Sequence, residues 1–388
     1  MDAKKVLERV KAIAETFAAD RPARQQRRSL DPADFAALRE AGFLLTGVPA
    51  EFGGLWTNAV GSARSVCEIL RALAHGDSSV ALVSSMHPAV LSFWLSTPKV
   101  PPEFAAAWAA QRRAVFESAA HELWGTITSE PGSGGDVGRT KVAAVRGNGA
   151  SYLTGTKHFG SGSGISSFMV TTAVPEGETD PDWFFVDMRG VPWDGSRGLR
   201  LVAEWDGHGM AATQSHSMAF ERFPATRMAW PGHWRAIADA AGPVIGCLFA
   251  AVVLGVVETA MEAARALITK RPNDLRPYEQ VEWIRAESEA WLAKQAYEGM
   301  LRAVETSPSP GREVLLGKES MADLAESCLL RICRVLGGGT FSRRSPFGHW
   351  FEDVRALGFL RPPWGLAYDN LFSAVQSPLG LKPTRLQP

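Results

Sequence analysis

Apolar positions in the first 120 residues recur at helical spacing. Val6, Leu7, Val10, Ile13, Ala14 and Phe17 fall on one face of a 3.6-residue repeat, which predicts an amphipathic helix. Asp31-Pro32-Ala33-Asp34 reads as the start of another. Asp31 caps it, Pro32 fits the first helical position, Asp34 lies in the positive first turn, and Gly42 is a plausible stop. A further helix is predicted from about Ala63 to Ala74. The next runs from a cap at Ser78 or Ser79 to about Trp94, after which Pro98, Pro101 and Pro102 break the pattern.

The period changes near Trp124. Short β-rich runs now alternate with Gly, Pro, Asn and Asp: Gly125 to Thr128, Ser151 to Thr154, Phe168 to Thr172, Trp183 to Val186, and Ser217 to Phe220. Short strands separated by turn signals predict a small barrel or sandwich. After Pro231 helical spacing returns, with candidate helices over 233–270, 277–306, 313–336 and 365–376. Long helices with short connections predict an antiparallel bundle. The fold class is therefore α+β: an N-terminal α-domain (1–122), a middle β-domain (123–231) and a C-terminal four-helix bundle (232–388).

Composition narrows the function classes. Apolar residues are 46% and charged residues 21% of the chain, which argues against disorder. Lys+Arg and Asp+Glu both total 41, so charge gives no reason to expect nucleic acid or an acidic membrane as partner. Four scattered cysteines without a CxxC pair argue against a disulfide framework and a zinc site. Eight histidines show no metal-ligand spacing, so no metal is expected. The longest apolar stretch, Pro243 to Val257, is short of the roughly 20 residues of a membrane span and reads as a buried helix. The charged N-terminus does not read as a signal peptide, and a cytoplasmic location is expected.

Several segments then fall into a known order. They are Ala41-Gly42-Phe43 with Val48 to Gly54, Thr128 to Asp136, Gly155 to Gly162, Gly209 to Ser215, Phe220 to Arg227, and Gly337-Gly338-Gly339 followed by Asp353-Val354-Arg355. Together they resemble the acyl-CoA dehydrogenase superfamily over nearly the whole chain. The resemblance implies an α–β–α fold and a flavin, FAD or FMN, between the β-domain and the bundle. It implies that Thr128, Ser129 and Ser133 meet the pyrimidine edge of the flavin. Phe159 replaces the superfamily's ring-stacking Trp, and Ser161 replaces the Thr at the reactive nitrogen. Gly337 and Gly338 belong to its glycine segment, and Arg271 (or Arg276) stands where a phosphate-binding Arg is expected. Homotetramers or homodimers are usual in the superfamily.

Departures bear on the chemistry. Dehydrogenases of this type abstract a proton beside a thioester carbonyl with a Glu. The loop that usually carries it is Leu357 to Gly365 here, without a carboxylate and with Arg361 instead. The other position used in the superfamily falls at Ile245 and Gly246, also without one; Glu258 reads as a helix flank. The turn Lys157-His158-Phe159-Gly160-Ser161-Gly162 and the helix Asp77-Ser78-Ser79 with His87 are similar to the two-component flavin monooxygenase branch of the dibenzothiophene type. That branch implies reduced flavin delivered by a separate reductase, with His87 and Ser161 as candidate proton-handling groups; in its apolar helix with Val83, Val90, Leu91 and Trp94, His87 also reads as a packed core residue hydrogen-bonded to backbone. Arg361 is a candidate for binding an anion, and Trp94, Trp350 and Trp364 for walling a substrate pocket. The expected function is a flavin-dependent oxidoreductase, leaning to a monooxygenase acting on a small organic substrate. The alternatives are an acyl-CoA (or acyl-carrier) dehydrogenase with a displaced base, using a separate electron acceptor, and a non-catalytic relative serving as a binding or structural subunit.

Overall fold

The computed structural model describes residues 2–97, 99–147, 149–270 and 275–376. Six helices come first: α1 (Ala3–Ala19), α2 (Arg21–Arg24), α3 (Pro32–Ala41), α4 (Ala59–Gly76), α5 (Ser78–Leu95) and α6 (Pro102–Ala119). The predicted face of α1 is buried through Val6, Val10, Ala14 and Phe17. Asp31 caps α3 through Ala33 N at 2.9 Å, and Gly42 ends it with φ 90°. The cap of α5 is Asp77, one residue before the serines expected to do this, because its carboxylate accepts from Val80 N. The prolines at 101 and 102 open α6 rather than end a pattern, with Pro102 at the first helical position.

Seven strands follow: β1 (Trp124–Thr126), β2 (Ala143–Gly147), β3 (Ala150–Gly160), β4 (Phe168–Pro175), β5 (Asp182–Asp187), β6 (Leu199–Ala203) and β7 (His216–Arg227). β4, β2, β3, β7 and β5 pair in that order and β5 returns to β4, which closes a five-stranded barrel among the described residues. β1 adds to β4 and β6 to β7 outside the ring. Ile127, Leu153, Met169, Phe184, Met218, Phe220 and Phe223 fill the interior. Closure decides between the two β architectures that the strand spacing allows.

The last part holds α7 (Trp234–Ile268), α8 (Pro277–Thr306), α9 (Gly311–Leu336), α10 (Pro346–Val354), α11 (Ala356–Phe359) and α12 (Trp364–Gln376). The apolar stretch of α7 is buried between α4 and α5 on one side and α8 and α9 on the other. α5 and α7 are both apolar and long enough to cross a membrane, but most of their residues are buried inside the protein. Gly255 marks a close crossing with α4: a Cβ there would collide with the Arg71 carbonyl oxygen. The first helices and the bundle therefore share one core, and the barrel packs against both through an aromatic layer of Trp94, Trp108, Trp124, Trp183, Trp230 and Trp234.

Candidate functional site

The site begins with a charge inside the barrel wall. Leu153, Gly155 and Lys157 alternate onto one face of β3, so Lys157 points where its apolar neighbour points and is fully buried. An ammonium there requires a partner. Glu130, from the loop after β1, supplies it at 2.5 Å. Lys157 Nζ also donates to Thr140 Oγ1 at 2.9 Å and Thr172 Oγ1 at 3.1 Å. Glu130 accepts from Thr140 Oγ1 and from Lys141 N at 2.7 Å. Burial lowers the Lys157 pKa to about 8 despite Glu130, while the lysine and the hydrogen bonds hold Glu130 below its ordinary value. One ion pair thus ties both ends of the 128–142 loop to β3. The sequence reading assigned Glu130 and Lys157 no such role, although the period-2 parity of β3 pointed to it.

Just beyond Lys157, β3 bulges. The register between β3 and β7 shifts between Lys157 and Gly160, and His158 N donates to Ser129 O at 2.7 Å. Phe159 sits at φ 56°, in the left-handed region that a bulky side chain avoids. Its ring is 58% exposed and meets the edge of Trp205 at 6.0 Å. An exposed aromatic held at a strained position by a bulge has the form of a ligand wall. Ser161 lies two residues on, buried, with its Oγ 2.9 Å from Ser215 Oγ; Ser215 is 2.8 Å from Thr213 Oγ1, which donates to Met210 O.

The loop between α11 and α12 closes the site. Arg361 Nη2 donates to Ser129 Oγ at 2.9 Å. Its Nη1 is sealed from solvent and has no partner among the described residues. Burial lowers the Arg361 pKa to about 10, opposed by Asp136 and Glu130, so the guanidinium stays charged at neutral pH. Lys318 of α9, itself buried, donates to Pro362 O at 2.6 Å and fixes this loop. Pro363 lies so near the glycine loop that a Cβ on Gly135 would be 2.6 Å from it.

The structure thus brings Ser129, Phe159 and Arg361 together, with Thr128 beside Ser129 and Ser161 beside the Phe159 bulge. Ser133 behaves differently: its Oγ donates to Glu130 O and accepts from Gly135 N, closing the turn. Gly337 and Gly338 follow α9 at the surface, where Gly339 and Thr340 share a cavity of about 320 Å³ with Leu267, Lys270, Leu336, Ser345 and Phe347. Arg271 lies outside the described residues. Trp94 is buried in the aromatic layer, and Trp350, buried in the shared core, also borders a small cavity with Arg21, Arg24 and Asp353. Glu258 is engaged by Arg71 at 2.7 Å. Among the described residues no cluster of metal-ligating side chains occurs.

His87 is a candidate either for handling a proton or for packing in the core with backbone hydrogen bonds. It is fully buried, its Nδ1 accepts from Trp124 N at 3.1 Å, and its Nε2 lies 3.0 Å from Leu44 O. Burial lowers its pKa to about 4. Such a side chain joins backbone groups of two segments and has no free nitrogen. Because its folded pKa lies below its ordinary value, its contribution is present above about pH 6.5 and is lost as pH falls toward 4. In urea denaturation, His87→Gln is expected to gain up to about 3 kcal/mol relative to the unmodified chain between pH 7 and pH 4. An unchanged difference across that range would leave His87 outside the pH response.

The site reads as a place for a planar ligand: an aromatic face at Phe159, a hydroxyl at Ser129, a buried cation with a free donor, and a close backbone approach at Gly135. A flavin's ring face and polar edge fit that set. Residues 125–223 match the family described as acyl-CoA dehydrogenase, middle domain. The chain is 26% identical over 245 residues to a dibenzothiophene monooxygenase from Mycolicibacterium goodii, covering 59% of this chain and 54% of that protein. It therefore spans about half the length of that curated relative. Its fold is similar to that of FMN-bound TdsC from Paenibacillus sp. A11-2, with TM-score 0.75, 20% identity, and 95% and 96% of the two chains covered. It is also similar to butyryl-CoA dehydrogenase from Megasphaera elsdenii, with TM-score 0.80, 16% identity, and 96% and 98% covered.

Proposed function

We propose, for a chain whose residues 125–223 match the acyl-CoA dehydrogenase middle-domain family and whose fold is similar over 96% of its length to that of a butyryl-CoA dehydrogenase, that the protein is a flavin-dependent monooxygenase. It uses reduced flavin and dioxygen on a small organic substrate. The observation that carries this is Arg361. A guanidinium stands in the loop where the dehydrogenases keep their proton-abstracting carboxylate, and it cannot serve as a base at working pH. The other usual position holds Ile245 and Gly246, and Glu258 is occupied in an ion pair.

Phe159 offers its face to the ring of the flavin, and Thr128 and Ser129 offer polar groups to its edge. Ser161 is oriented by Ser215 and Thr213 so that its hydroxyl can donate a proton or accept one. Bound reduced flavin supplies the electrons that activate dioxygen. The flavin is FMN or FAD, and a separate reductase delivers it reduced. Gly337, Gly338 and Arg271 are assigned to its phosphate end. Four cysteines without a disulfide among them agree with a reducing, cytoplasmic setting.

The chain forms a homo-oligomer, a tetramer or a dimer. Val281, Ile284 and Trp291 line an exposed apolar face of α8, with Trp291 61% exposed. Trp291→Glu is expected to shift the molecular mass measured by light scattering to a smaller species. An unchanged mass would place the interface elsewhere.

An absorption spectrum of the purified protein, with chromatographic identification of any released flavin, tests the proposal. A protein that is colourless as purified and binds flavin when reduced supports it. Stoichiometric FAD that is bleached by an acyl-CoA thioester would overturn it in favour of a dehydrogenase.

A further inference from the structure

Arg361 is a group at this site whose hydrogen bonding is incomplete among the described residues, as is that of Trp364 Nε1 three residues on. Ser129 Oγ takes Nη2, Asp136 and Glu130 contribute only their charge, and Nη1 is buried without a hydrogen bond among the described residues. A charged donor left unpaired in the interior is costly, and a ligand acceptor relieves that cost. The guanidinium is also held in place rather than free to turn away. Lys318 fixes the carbonyl of the next residue, Pro362, and Pro363 is wedged against Gly135. Ser129, which Arg361 touches, is bridged to His158, and Phe159 follows directly. The exposed aromatic wall at Phe159 and the Ser129–Arg361 pair therefore belong to one cluster of neighbouring backbone segments.

We infer that Arg361 is a redox-state selector: its buried guanidinium binds the N1–C2=O edge of the isoalloxazine and holds the reduced, anionic flavin more tightly than the oxidised one. This rests on the flavin reading of the same site. The chemistry follows from the ligand. Two-electron reduction puts negative charge on the N1–C2=O locus, and a fixed cation at short range in a low-dielectric wall interacts with that form far more than with the neutral oxidised ring. Differential binding of this kind retains reduced flavin arriving from a reductase and releases the oxidised product.

The experiment uses the full-length chain and FMN as probe. Dissociation constants are measured by fluorescence or absorbance titration for oxidised FMN in air and for dithionite-reduced FMN under anaerobic conditions. Arg361→Gln keeps a donor for Ser129 but removes the charge; Arg361→Lys keeps the charge but not the fork. The unmodified chain is expected to prefer reduced FMN, and Arg361→Gln to lose at least about tenfold of that preference, equivalent to about 30 mV in the two-electron potential of the bound flavin. Arg361→Lys is expected to retain most of it. Circular dichroism and thermal unfolding of both variants accompany the titrations. If Arg361→Gln does not fold, the comparison rests on Arg361→Lys at increasing salt. A preference that survives salt supports a buried charge, and one that vanishes overturns it. An unchanged preference in a folded Arg361→Gln overturns the inference while leaving flavin binding intact. Absence of binding of both FMN and FAD by the unmodified chain in both redox states overturns the flavin reading, and the inference falls with it.

Discussion

Lys157→Met is expected to destabilise the protein by about 3 to 5 kcal/mol and to abolish flavin binding. The lysine is fully buried and its partner Glu130 nearly so. Removing the cation leaves a carboxylate in the barrel wall with only Thr140 and backbone amides around it. That carboxylate is then pushed to protonate, so the deficit should narrow as pH falls. The sign follows from a folded pKa raised above the unfolded one, which favours the folded state at low pH. The double variant Glu130→Gln/Lys157→Met should recover part of the loss, because two neutral groups replace one stranded charge. Chemical denaturation of the three variants measures this. A loss under about 1 kcal/mol in the single variant would mean that the pair is not the anchor of the 128–142 loop.

Phe159→Gly is expected to move stability and binding in opposite directions. The left-handed φ of 56° is strained for phenylalanine and free for glycine, so the variant should gain about 1 kcal/mol in thermal or urea unfolding. The same change removes the ring that forms the site's exposed wall, and affinity for reduced flavin should fall at least about tenfold. A fold that keeps an exposed aromatic at a strained bulge keeps it for contact with something other than itself. Lower stability with unchanged affinity would make Phe159 a surface packing residue, supported by Trp205 alone.

These two residues also mark how far the sequence could be read. Long helices such as Gly311–Leu336 were legible to within about two residues, because burial on one face dictates the spacing, while α4 begins at Ala59, four residues before the expected Ala63. α6 was not, because Pro101 and Pro102 were read as a break when Pro102 opens a helix. β2 and β6 were missed as well: each is 5 residues long, with little apolar alternation to announce it. Closure of the barrel depends on the pairing of β4 with β5 and of β5 with β7, which no local pattern specifies.

The site divides the same way. Ser129, Phe159 and Ser161 came from motif order, and the structure gathers Ser129 with Phe159. The burial of Lys157 is readable from the parity of β3, which turns it to the same face as Leu153 and so demands a partner. His87 was judged by residue type and helix context. That context allows a core residue hydrogen-bonded to backbone as well as a proton donor; its partners, Leu44 and Trp124, lie 43 and 37 residues away in the chain, and only the fold names them. The contact of Arg361 with Ser129 spans 232 residues, and only the fold reveals it.

The most direct measurement is an anaerobic titration of the full-length chain with reduced FMN, followed by mixing with air and, in parallel, by addition of an acyl-CoA thioester to the oxidised complex. Saturable binding of reduced FMN, altered reoxidation kinetics on the protein relative to free flavin, and no bleaching by the thioester are the expected results. Tight binding of oxidised flavin that the thioester reduces would contradict the monooxygenase assignment, because it would require a base that neither the 357–365 loop nor the Ile245–Gly246 position contains.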